Sequence, residues 1–178
     1  GNIVPPITVV FVGTGLVVWL NALFFLGVGA DTKEDSPSPL VSVGWATLIV
    51  GLLDLVQATY IMWARPLEDA SVPLAGLIVF YGLFFCLLGI TEIQGLDLRV
   101  VGNLAIAVAI VPLFWWQFFD GGWMFKSILL AWVVAFGAVA ATTYGKFQGK
   151  ALGAILAATA AYTFWTPAII LALGNQIP

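Results

Sequence analysis

The chain has 178 residues, of which 62% are hydrophobic and 8% charged, with a formal net charge of −3 and no histidine. A soluble domain is about one-quarter charged, and a soluble chain of this composition would leave far too much apolar surface outside its core, so that class is excluded. One cysteine rules out a disulfide framework or a thiolate metal site; the missing histidine removes the usual zinc ligand, general base and near-neutral pH sensor, and no basic patch exists to hold nucleic acid.

Residues 1–30, 70–91, 100–119, 127–145 and 151–178 carry no Asp, Glu, Lys or Arg. A bilayer-crossing helix needs about 20 mostly apolar residues, and each of these runs is near that length or longer. Span 1 is expected at about 7–28. It is read as a retained span, because no basic segment precedes it and no small-residue cleavage site follows. The polar loop ADTKEDSPSP leads to span 2 at 40–63, which carries one acid, Asp54. Loop 2 (ARPLEDAS) precedes span 3 at 72–94, and the short loop GLDLR precedes span 4 at 100–118. Loop 4 (DGG), span 5 at 123–144, loop 5 (GKFQGK) and span 6 at 151–173 complete the chain. The sequence therefore predicts an all-α integral membrane protein, a single six-helix transmembrane domain in which short connections force antiparallel neighbours. Lys33, Arg99, Lys146 and Lys150 on the odd loops outnumber Arg65 and Lys126 on the other side. That bias places the odd loops in the cytoplasm and both termini outside.

Polar side chains at membrane depth mark either helix packing or a pathway. Asp54 sits in the middle of span 2 and Glu92 near the end of span 3; Asn21 lies late in span 1, and Thr159 in span 6. Asp54 reads equally as a pore or proton-handling carboxylate and as a hydrogen-bonded acid joining helices. Glu92 reads as a pore residue or as a solvated span end. Most of the eight tryptophans fall near span ends, where aromatic anchoring explains them. Trp132 does not, and Phe136 follows it at i+4 on the same helix face. The pair is either packing or the wall of a narrow slit that passes flat neutral molecules. Pro112 and Pro167 fall inside spans 4 and 6, where each removes a helix hydrogen bond.

Several motifs, in order, resemble the AmiS/UreI family of urea and short-chain amide channels and transporters. They are FYG (Phe80–Gly82), LLGIT (Leu87–Thr91), GLDLR (Gly95–Arg99), the proline at the far end of span 4 (Ala109–Pro112), LAW with an aromatic four residues on (Leu130–Trp132, Phe136), GKF (Gly145–Phe147) and FWTPA (Phe164–Ala168). The resemblance covers essentially all six spans. It implies a six-helix bundle with a pore in each protomer, a homo-hexamer, a bacterial inner (plasma) membrane location with both termini on the outer side, and passive passage of urea or a small amide. It also implies that Trp132 and Phe136 are slit residues, that Leu88 and Glu92 stand where the family has Phe and Tyr, and that Asp54 stands where the urea channel has Asn. Asn21 matches an Asn of the family, and Thr159 replaces a glutamate of its last span.

These readings point to a membrane channel whose partners are the lipid bilayer and a small neutral solute. No cofactor is expected, and no catalytic constellation is visible; a retinal pigment would need a mid-span lysine. Gating by imidazole is excluded. Two alternatives stay open: a proton-coupled carrier that uses Asp54 and Glu92, and a non-transporting membrane scaffold subunit.

Overall fold

The computed structural model describes residue 5 and residues 7–178; the start of the first uncharged run, residues 1–4 and 6, lies outside them. The described residues form helices and no strand. In lipid every backbone N–H and C=O must be satisfied within its own segment, which favours helices in apolar runs of this length. Six helical rods are long and apolar enough to cross a bilayer, so the expected all-α, six-span architecture is what the chain adopts.

The rods are α1 (Ile7–Leu26), α2 (Pro39–Ala64), α3 (Ser71–Gln94), α4 (Leu98–Ile110) with a 3₁₀ continuation at Val111–Phe119, α5 (Met124–Thr143), and a composite last rod. That last rod is α6 (Gly149–Thr159), a π-helical stretch at Ala160–Trp165, and α7 (Thr166–Ala172). Each packs on its chain neighbours and α1 closes on α6, which makes a ring of six around a common axis. Local chemistry sets the helix ends. Ser38 accepts the Leu40 N–H at 3.2 Å with Pro39 opening α2, and Asp97 accepts the Arg99 N–H at 2.9 Å to start α4. The Arg99 guanidinium also bonds the exposed Asp97 carboxyl, which holds it down to about 2. Gly95 ends α3 in the left-handed region.

The two proline-bearing rods are not uniform. Pro112 lies at the start of the 3₁₀ stretch, whose Trp115 donates its indole N–H to the Pro73 carbonyl at 2.9 Å. Pro167 has no N–H to return to the turn before it. There the helix widens into its π-stretch, and Thr166 Oγ1 donates back to Ala161 O at 2.7 Å. Bulges of this kind concentrate at functional sites, and this one sets Thr163 and Phe164 inward, both buried.

Between α2 and α3 the backbones themselves come close. A Cβ on Gly89 would stand 2.5 Å from Leu48 N and 2.6 Å from Gly44 O, and one on Gly51 would stand 2.6 Å from Cys86 N. Gly44 and Gly51, like Gly82 and Gly89, are seven residues apart, so two glycine rows two turns long let backbone meet backbone.

Candidate functional site

Three cavities lie along the axis. At the end that carries loops 2 and 4, a mouth of about 560 Å³ is bounded by Ile7, Phe118, Phe119, Phe125 and the segment Asn175–Pro178. Below it a chamber of about 30 Å³ shares Ile7, Leu74, Phe119 and Phe125 with the mouth and adds Thr14, Tyr81, Leu129 and Trp132. Towards the opposite end a chamber of about 80 Å³ is lined by Asn21, Phe84, Phe85, Leu88, Phe136 and Thr159, and reaches Leu98, Thr142 and Thr143. Phe164 alone lines both chambers.

Between the mouth and the far chamber runs an unbroken succession of ring contacts. Phe119 stacks on Phe125 at 4.8 Å between centroids, Phe125 on Phe11 at 6.0 Å, and Phe11 meets Phe164 at 6.4 Å. Phe164 stacks on Trp132 at 5.4 Å with planes 24° apart, and Trp132 lies 4.6 Å from Tyr81. Tyr81 then meets Phe136 at 5.8 Å, Phe136 meets Phe84 edge-on at 4.9 Å, and Phe84 meets Phe85 at 5.3 Å. Nine rings from α1, α3, α5, the 3₁₀ stretch and the π-stretch thus form one column, and Tyr81, Trp132 and Phe164 fill its middle.

The polarity of this column is low because its donors are already used. Trp132 Nε1 donates to Thr163 Oγ1 at 2.8 Å, and that hydroxyl donates to Thr159 O at 2.6 Å. The exceptions are two buried atoms with no hydrogen-bond partner among the described residues: the hydroxyl of Tyr81, a residue that lines the 30 Å³ chamber, and Oδ1 of Asn21, a residue that lines the 80 Å³ chamber.

The two intramembrane acids lie off the column, between helices. Asp54 is fully buried and takes the Thr14 hydroxyl at 2.8 Å on Oδ2, while Oδ1 has no partner among the described residues. Glu92 is buried where the Gly44 and Gly89 backbones close on it. The Thr47 hydroxyl lies beside it but is turned to Val43 O at 2.7 Å, and neither Glu92 oxygen has a hydrogen-bond partner among the described residues.

Of the residues singled out from sequence, Asn21, Leu88, Phe136 and Thr159 line the larger chamber and Trp132 the smaller. Asp54 and Glu92 line neither. Sequence reasoning missed Tyr81, Phe84, Phe85 and Phe164 as members of the column. The signal for the α3 members was present as the spacing Leu77, Tyr81, Phe84, Leu88, one face of a helix at steps of three and four.

In structure the chain resembles the urea channel of Helicobacter pylori. Its cryo-electron-microscopy structure in a closed state matches with a TM-score of 0.78, covering 96% of this chain and 100% of that one at 19% identity. The crystal structure of the same channel matches with a TM-score of 0.80, covering 96% and 99% at 19% identity. No curated protein matches by sequence. The sequence profile of the AmiS/UreI family transporters matches residues 7–175. With that match over nearly its whole length, this multi-pass membrane protein belongs to the AmiS/UreI family.

Proposed function

We propose that the protein is a passive channel for urea or short-chain aliphatic amides, with one narrow aromatic-lined slit in each protomer. The observation that carries this reading is the column of nine rings joining two small chambers, with the Trp132 N–H turned away into Thr163. Urea and acetamide are flat, neutral and polar, so their barrier is the loss of hydrogen bonds to water. Ring faces accept a flat solute and refuse solvation to an ion, and the few free polar atoms, Tyr81 Oη and Asn21 Oδ1, replace part of the lost water. The family and the fold shared with a urea channel support the substrate class. Trp132 and Phe136 are the slit walls of α5 in this reading, and Leu88, Asn21 and Thr159 line the inner chamber. The protein sits in a bacterial inner membrane as a hexamer, with the 560 Å³ mouth and both termini outside.

A proton-coupled carrier is the second reading. It is favoured by the burial of Asp54 and Glu92 with three carboxyl oxygens lacking a hydrogen-bond partner among the described residues. Stopped-flow light scattering on proteoliposomes separates the two, following urea, formamide and acetamide from about pH 5 to 8 with and without a proton gradient. Fast equilibration that ignores the gradient, retained in Asp54→Asn, is the expected result. Gradient-driven accumulation abolished in Asp54→Asn would establish the carrier, and no permeability to any of the three would remove urea and amides as substrates.

A further inference from the structure

We propose that the 80 Å³ chamber selects its solute by N–H donors alone, with the Asn21 side-chain carbonyl as its free acceptor and Thr47 as the residue that holds Asn21 in that orientation. The inference deepens the channel reading and rests on it.

The polar residues lining that chamber are Asn21, Thr142, Thr143 and Thr159. Each threonine hydroxyl gives its hydrogen to a carbonyl of its own helix: Thr142 to Ala138 O, Thr143 to Ala140 O and Thr159 to Ile155 O, each at 2.8 Å. What remains of each hydroxyl is an oxygen lone pair. Asn21 completes the set. Its Nδ2 donates to Val17 O at 2.8 Å and to Thr47 Oγ1 at 3.0 Å, which uses both N–H bonds. The amide orientation is fixed by chemistry, because Val17 O can only accept. Towards Asn21 the Thr47 hydroxyl also only accepts, since its own hydrogen goes to Val43 O at 2.7 Å. Turning the carboxamide over would set its oxygen against two acceptors. Asn21 lines the chamber, and its Oδ1 is therefore left buried with no hydrogen-bond partner among the described residues. A buried acceptor without a partner is unfavourable, and a passing N–H relieves it, whereas a solute with only acceptors meets lone pairs on every polar group. The chamber thus fits a neutral solute bearing an –NH₂, such as urea or a primary amide, and disfavours a polar solute of the same size that lacks one.

The test compares acetamide with dimethyl sulfoxide, which has the same number of heavy atoms and no N–H, by stopped-flow light scattering on proteoliposomes after subtraction of protein-free vesicles. Wild type, Asn21→Leu, Thr47→Val and Thr47→Ser are measured together. Asn21→Leu is expected to lower acetamide flux about tenfold while dimethyl sulfoxide flux does not fall. Thr47→Val, which leaves Asn21 only its Val17 bond, is expected to lower the acetamide-to-sulfoxide ratio severalfold, and Thr47→Ser to preserve it. An equal fall for both solutes in Asn21→Leu, or unchanged acetamide flux, overturns the assignment by reducing Asn21 to a packing residue. Should Asn21→Leu not assemble, Thr47→Val decides, and an unchanged ratio there overturns the proposal. Absence of urea, formamide and acetamide flux alike in wild type removes the channel reading itself, a failure distinct from flux that persists without selectivity.

Discussion

Trp132 is 5% exposed, lines the smaller chamber and touches Tyr81 on one side and, on the other, Phe164, which borders both chambers. Truncation there is expected to open the wall between them. Trp132→Ala is expected to raise the flux of propionamide relative to acetamide by about tenfold, since one methylene in a fitted apolar site is worth about that much. Measured permeability ratios unchanged across an amide series would take Trp132 out of the passage. Its position at i+4 from Phe136 was legible in the sequence, because spacing within one helix is local. The contacts to Tyr81 and Phe164 were not, because they depend on how α3 and the π-stretch are turned towards α5.

At the scale of helices, charge-free runs of about 20 residues made the six rods readable, since lipid permits little else in such a run. Proline located the irregular points in rods 4 and 6 but not their form. A missing N–H is met by tightening after Pro112 and by widening before Pro167. Glycines were similarly ambiguous. A Cβ on Gly89 would stand 2.5 Å from the α2 backbone, while one on Gly137 would meet nothing within 4 Å. Gly89→Ala should therefore cost about 1–3 kcal/mol by forcing α2 and α3 apart. Gly137→Ala should change stability by no more than about 0.5 kcal/mol. Thermal aggregation of the detergent-solubilised protein checks the pair, and equal shifts for both would mean that the α2–α3 approach is looser than described.

In the whole molecule the ring of rods buries the column and turns a second apolar surface outward. Trp45, Ile49, Leu52, Val56, Tyr60 and Trp63 on α2 are more than half exposed, a surface suited to lipid or to further copies of the chain. For the hexamer proposed above, native mass spectrometry from detergent is expected to give six copies. A monomer that still equilibrates acetamide would show that the slit needs no second protomer.

The column has a consequence for the energy of the cell. Protons cross membranes fastest by hopping along hydrogen-bonded files of water, and a file needs room and polar partners at every step. The two chambers hold about 30 and 80 Å³, room for about one or two waters and for a few, but Tyr81, Trp132 and Phe164 stand between them with the indole N–H already engaged. In the channel reading proposed above, the water file is cut at the rings, whereas a flat amide would pass them whole. A pore built this way could stand open permanently without short-circuiting the proton-motive force, and would need no gate to protect the membrane it crosses.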